Sequence, residues 1–189
     1  IRWNRSRTPM PECRAVVVNS GNANACTGDR GEIDCAAMAH ATALAVDAPL
    51  ESILVLSTGI IGEFLPIDRI TESIPRVAGA ASARGAAALP FATSMMTTDT
   101  RPKVATRAAG AAQVLGFAKG AAMIAPNLAT MLAVVTTDAA LDVEEAQAML
   151  EEIVDETFNC ITVDGHTSTN DAVLLLSSGQ AGPVDEGTL

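Results

Sequence analysis

Lys119-Gly120-Ala121-Ala122-Met123-Ile124-Ala125-Pro126-Asn127-Leu128-Ala129-Thr130-Met131-Leu132-Ala133 is the stretch from which the fold reads outward. Pro126 and Asn127 favour a turn, and Met131 to Val135 is an unbroken apolar run, the pattern of a buried strand. Thr130 stands at the junction. A β-branched hydroxyl is common at strand starts, where its methyl packs and its oxygen bonds nearby backbone, and on these residues alone that packing role is favoured. The other reading makes Thr130 a nucleophile. A hydroxyl needs a base beside it, and the nearest is the residue's own α-amine, which exists only if the Ala129–Thr130 peptide bond is cut. Such an amine titrates at about 7.7 to 8.0 in reference peptides, where a general base works well.

On the amino-terminal side, Ala15 to Val18 reads as a strand entering the Asn/Gly-rich loop Asn19 to Asn24. Glu32 to Val46 reads as an Ala-rich helix ended near Pro49, and Ile53 to Leu56 as a short buried strand delivering Ser57-Thr58-Gly59. Ile67, Ile70, Ile74 and Val77 predict a helix that Pro75 shortens or kinks. Ala80 to Leu89 fits either its continuation or a loop. Lys103 to Thr106 and Gln113 to Lys119, separated by Ala108-Ala109-Gly110, form the pattern of a hairpin or meander. Beyond Thr130, Asp142 with Glu145 opens a helix. Its stripe of Val143, Ala146, Met149, Leu150, Ile153, Val154 and Phe158 reads as core packing. Ile161 to Val163 and Ala172 to Ser177 add strands around the Asp164 to Asp171 loop.

Composition bounds the function. The 189 residues suit one domain, and with 3% aromatic residues the packing falls to Ala, Val, Leu and Ile, hence Ala-rich helices against a Val/Leu sheet. A net charge of -10 argues against binding nucleic acid or an anionic membrane surface. The longest apolar runs fall far short of the about 20 residues a membrane span needs, and no signal-peptide pattern opens the chain, so a soluble cytoplasmic protein is expected. Cys13, Cys26, Cys35 and Cys160 form no CxxC pair, His40 and His166 give no zinc-like spacing, and four buried or half-buried free thiols are expected.

Lys119-Gly120, Met123-Ile124, Pro126-Asn127 and Ala129-Thr130-Met131-Leu132 together resemble the self-cleavage segment of ornithine acetyltransferases, the bifunctional glutamate N-acetyltransferases of arginine biosynthesis. Four further segments agree in order: Asn19 to Ala25, Ser57 to Gly62, Met96 to Thr100, and Asp164-Gly165 with Thr167 to Asp171. The resemblance implies an α+β fold, a layered α-β sandwich of the self-processing ornithine acetyltransferase and aminopeptidase type. Residues 1–189 would then be a single catalytic domain, an internal fragment of a longer chain, cleaved between Ala129 and Thr130 into an α segment, 1–129, and the start of a β segment.

By the same resemblance, Thr130 is the nucleophile, the Thr58 hydroxyl and Gly59 N–H form the oxyanion hole, and Thr97, Lys119 and Thr130 contact substrate. The implied reaction passes acetyl from N2-acetylornithine to glutamate through acetyl-Thr130. Acetyl-CoA is a second donor in some members; no metal or bound cofactor is implied, and the expected assembly is an α2β2 heterotetramer. Taken alone, Thr58-Gly59 is also a plain turn after a strand, and Lys119 a solvated strand-end charge. His166 departs from the family, which usually has Asp there. Two alternatives remain: a self-processing amidase or aminopeptidase of the related fold, and a non-catalytic domain whose 129–130 bond stays intact.

Overall fold

The computed structural model describes residues 1–121 and 131–184, and the chain divides into two units, Ile1–Thr97 and Thr98–Leu189. The first holds α1 (Arg2–Arg5), β1 (Ala15–Asn22), α2 (Gly28–Val46), β2 (Ile53–Ile60), α3 (Ile67–Gly79) and α4 (Ala88–Ser94). β1 and β2 pair in parallel, from Ala15 opposite Ile53 to Asn22 opposite Ile60. Parallel neighbours need a crossover, and α2 supplies it. Met38, Ala39 and Ala43 on α2 pack with Ile53 and Val55 of β2 and with Leu65. Two alanines one turn apart leave little side chain on that stripe of α2, which suits a core almost without aromatic rings. On β2, the side chain of Asn4 stands in for a further strand: its amide donates to the Val55 carbonyl at 3.0 Å and accepts the Val55 N–H at 2.9 Å.

Both strands outrun their apolar sequence. The ladder continues through Asn19–Ser57, Ser20–Thr58 and Gly21–Gly59, residues that read as turn formers. Side chains hold this polar end together. Asn19 Nδ2 donates to the Asn22 carbonyl at 2.8 Å, and the Ser57 hydroxyl donates to the same carbonyl at 3.0 Å while accepting the Asn24 N–H at 2.9 Å. Helix α2 starts at Gly28, four residues before its expected start. Thr27 Oγ1 donates to Asn24 Oδ1 at 2.7 Å and Asn24 Nδ2 to the Gly31 carbonyl at 2.7 Å, an arrangement that needs glycine at 31 because a Cβ there would lie 2.0 Å from Thr27 Oγ1. Pro75 lies inside α3, which continues to Gly79. The stretch after it is neither a continued helix nor all loop: a single 3-10 turn at Gly85–Ala87 leads into α4.

The second unit holds β3 (Lys103–Ala109), β4 (Ala112–Lys119), β5 (Leu132–Ala140), α5 (Val143–Glu156) and β6 (Ala172–Pro183), with strand order β3-β4-β5-β6. The expected hairpin is β3-β4, turned at Gly110 with φ +59°. β4 and β5 are antiparallel, whereas β5 and β6 are parallel, joined through α5. Asp142 caps α5, accepting the N–H groups of Glu144 and Glu145. Its apolar stripe is less covered than a core stripe: no residue of α5 is fully buried, and Ile153 is 40% exposed. A 3-10 turn, Phe158–Cys160, follows α5, and residues 161–163 form no strand.

Helices and sheets combine in the expected α+β class. Among the described residues no helix is long and apolar enough to cross a membrane, and no cluster of His, Cys, Asp and Glu is arranged to hold a metal ion. The four thiols are free, but the expectation of burial holds for two only: Cys13 and Cys35 are half-buried, while Cys26 and Cys160 are exposed on loop and turn positions.

Candidate active site

The end of β2 is built from backbone. Thr58 is fully buried, and Gly59 follows it with φ +134°, a conformation that L side chains rarely adopt. Its ladder partner Gly21 has φ +114°. The two strands approach so closely that a Cβ on Gly59 would lie 2.2 Å from the Gly21 carbonyl carbon and oxygen. Glycine is therefore required at 59 by contact as well as by dihedral angle. A plain turn makes no such demand, and the reading of Thr58-Gly59 as a turn gives way to a strand end in which a buried hydroxyl and a glycine amide are consecutive.

In the second unit, Lys119 closes β4 directly opposite Leu132, the first residue of β5, and Leu132 is in turn opposite Ala172 at the start of β6. This register gathers the ends of three strands. Lys119 is 3% exposed, so it is no solvated strand-end charge. Burial holds its ammonium below the usual lysine range, Asp99 counters that shift, Lys103 adds to it, and Asp171 counters it again. Asp99 has a fully buried carboxylate that accepts the Gly120 N–H at 2.8 Å and Lys103 Nζ at 2.5 Å, with its other oxygen 4.0 Å from Lys119 Nζ.

Asp171 is the second buried carboxylate at these strand ends. Its Oδ1 accepts the Met131 N–H at 2.7 Å, and the neighbouring Ala172 N–H donates to the Met131 carbonyl at 3.1 Å, so both polar groups of the Met131 backbone are fixed. Burial pushes the Asp171 carboxyl up to about 6, against the opposing pull of backbone hydrogen bonds from Met131 and Ser168 and the charge of Lys119. Its Oδ2 is buried with no hydrogen-bond partner among the described residues.

Thr58 and Gly59 thus adjoin on one strand end, and Lys119 belongs with Asp99 and Asp171. Thr97 is exposed at the close of the first unit. Ala129 and Thr130, the expected cleavage pair and nucleophile, lie outside the described residues, as does Asn127. His166 is exposed, its Nδ1 3.7 Å from Asp164 Oδ1, with no further element of a catalytic triad described around it. The sequence alone gives no role to Asp99, within Met96 to Thr100, or to Asp171, at the end of Thr167 to Asp171. No local signal marks either acid, because both lie outside the strands and reach Gly120 and Met131 only once the chain has folded.

The ArgJ family model matches residues 1–188. The arginine biosynthesis bifunctional protein ArgJ of Symbiobacterium thermophilum is 50% identical over 182 residues, covering 94% of this chain and 45% of the relative. That of Thermus thermophilus is 46% identical over 171 residues, covering 90% of this chain and 44% of the relative. The chain therefore spans about half the length of the curated relatives it matches. Among solved structures, it is similar to an ornithine acetyltransferase complexed with ornithine from Mycobacterium tuberculosis, with TM-score 0.60 and 33% identity over 67% of this chain and 68% of that one. The arginine biosynthesis bifunctional protein ArgJ of Bacillus halodurans gives TM-score 0.50 and 32% identity, covering 66% of each chain.

Proposed function

The chain belongs to the ArgJ family, and from that premise we propose that it carries the nucleophile half of an acetyltransferase that moves acetyl from N2-acetylornithine to glutamate through acetyl-Thr130. The supporting observation is the buried Lys119, set opposite Leu132 and so next to the backbone that follows Thr130. A cation kept out of water there binds a substrate carboxylate strongly and disfavours protonation of a neighbouring amine.

The proposed chemistry has two stages. In the first, the Thr130 hydroxyl attacks the Ala129 carbonyl, the acyl group shifts from nitrogen to oxygen, and water hydrolyses the ester to free an amino-terminal Thr130. In the second, the Thr130 amine takes the hydroxyl proton as Oγ attacks the acetyl carbonyl. The same amine returns a proton to the departing ornithine nitrogen, and the glutamate amine then takes the acetyl group from Oγ, which gives ping-pong kinetics. The Thr58 hydroxyl and Gly59 N–H are assigned to the developing oxyanion, and Thr97 with Lys119 to substrate. The proposed route runs from N2-acetylornithine with no metal or bound cofactor, and the working form is a cytoplasmic α2β2 assembly; acetyl-CoA as donor is a separate arm of the assay.

The test supplies N2-acetylornithine and glutamate to the full-length protein and its Thr130→Ala variant. N-acetylglutamate formation that the variant lacks is the expected result. Release of free acetate without transfer would make it an amidase, and inactivity with an intact 129–130 bond would make it a non-catalytic domain.

A further inference from the structure

Lys103 opens β3, Lys119 closes β4, and one carboxylate lies within reach of both ammonium groups. Asp99 Oδ1 accepts Lys103 Nζ at 2.5 Å and the Gly120 N–H at 2.8 Å, while Oδ2 lies 4.0 Å from Lys119 Nζ. Exposure alone would distribute these contacts the other way. The Lys103 side chain is 41% exposed, so water can serve it, whereas that of Lys119 is 3% exposed and the Asp99 carboxylate is fully buried. A buried cation gains more from a close carboxylate than a half-exposed one, because solvent screens it less. Yet the close contact goes to Lys103, and Lys119 stands beyond hydrogen-bond distance of the same group.

The sheet register shows how this distribution is held. Lys103 pairs with Ala118, so Lys103 and Lys119 leave the β3-β4 ladder on opposite faces, with Asp99 at its end. Two bonds at Oδ1 anchor the carboxylate, and turning it toward Lys119 would strain both. Resting on the reading of Lys119 as a substrate contact, we propose that Lys103 is a positioning residue for substrate binding: by holding Asp99 at Oδ1, it keeps that carboxylate from closing on Lys119, whose ammonium meets the substrate carboxylate instead. N2-acetylornithine and glutamate both carry an α-carboxylate, so one arrangement serves both halves of the reaction. At 4.0 Å, Asp99 still opposes the loss of charge that burial imposes on Lys119. A close pair would neutralise the cation, and removal of the carboxylate would leave its desolvation less opposed. The intermediate distance avoids both.

The test measures kcat and KM for N2-acetylornithine and for glutamate with the full-length enzyme as wild type, Lys103→Met, Lys103→Arg, Asp99→Asn and the Lys103→Met, Asp99→Asn double variant. Lys103→Met keeps the stem and removes the donor. Its KM should rise by about tenfold for both substrates, with kcat within about twofold of wild type. Lys103→Arg, which restores a charged donor, should return KM to the wild-type value. In the Asp99→Asn background no carboxylate is there to close on Lys119, so Lys103→Met should change KM by less than about twofold. An equal rise in both backgrounds would make Lys103 a direct substrate contact, and an unchanged KM in Lys103→Met, whatever its stability to urea, would make it structural. Either result overturns the proposal and leaves acetyl transfer standing. A wild type that transfers no acetyl would overturn the functional reading, and this proposal with it. If Lys103→Met does not fold, Lys103→Gln takes its place: as an uncharged donor it should raise KM by about threefold or more, and an unchanged KM refutes the proposal.

Discussion

Replacing Gly59 by alanine should break the end of β2 for two separable reasons. The added Cβ would lie 2.2 Å from the Gly21 carbonyl carbon and oxygen and 2.7 Å from the Asn22 nitrogen. All three are backbone atoms of β1, so no rotamer change relieves the contact; the strands must part, at the roughly 1–3 kcal/mol typical of overpacking. The φ of +134° at residue 59 adds strain of about 1–3 kcal/mol for any L side chain. Together these remove about 2–6 kcal/mol from a fold whose total stability is of order 5–15 kcal/mol. Gly21→Ala is the internal control: φ there is +114°, but nothing lies within 4 Å of its Cβ, so only the strain applies. In urea unfolding, Gly59→Ala should have a midpoint lower than that of Gly21→Ala by about 1 M, with the slope unchanged. Acetyl transfer by any folded Gly59→Ala protein should fall by about 10²- to 10³-fold as the amide donor moves. Equal midpoints for the two variants would refute the close approach of β1 and β2 as the reason for glycine at 59.

Thr58→Val keeps the β-branched shape at a fully buried site and removes the hydroxyl. Steady-state kinetics should show a kcat loss of about 10²- to 10³-fold, with a stability change below about 2 kcal/mol by urea unfolding. The Asp171 carboxyl sits at about 6 when folded, above the ordinary 3.8, so its contribution to stability is complete below about pH 4 and lost as pH rises through about 6. In an uncleaved Thr130→Ala background, unfolding free energy should therefore fall by about 2 kcal/mol from pH 4 to 7 relative to the Thr130→Ala, Asp171→Asn double variant. Chemical denaturation across that range measures the difference.

What was legible in the sequence followed from local chemistry. Gly110 between two apolar runs was enough for the β3-β4 hairpin, and Asp142 with Glu145 for the start of α5. Residues 19–22 and 57–60 failed as strand signals because Asn, Ser and Gly are turn formers by themselves; only their pairing with each other makes them a ladder. The α5 stripe had the right period, but period reports which face is apolar and says nothing about how fully it is covered, and that face is half-buried. Lys119 illustrates the same limit. Its position before Gly120 suggested a strand end, whereas its burial follows from β4 pairing with β3 on one side and β5 on the other. Asp99 and Asp171 fall inside the Met96 to Thr100 and Thr167 to Asp171 segments without a local sign of their role, since their partners are backbone amides far along the chain.

Everything assigned to Thr130 depends on one covalent event, the breaking of the Ala129–Thr130 bond. Intact mass and amino-terminal sequencing of the purified full-length protein, alongside its Thr130→Ala variant, measure that event directly. Two segments, the second beginning at Thr130, with the variant left whole, are the predicted result. A single unbroken chain in wild type, active or not, would contradict the account.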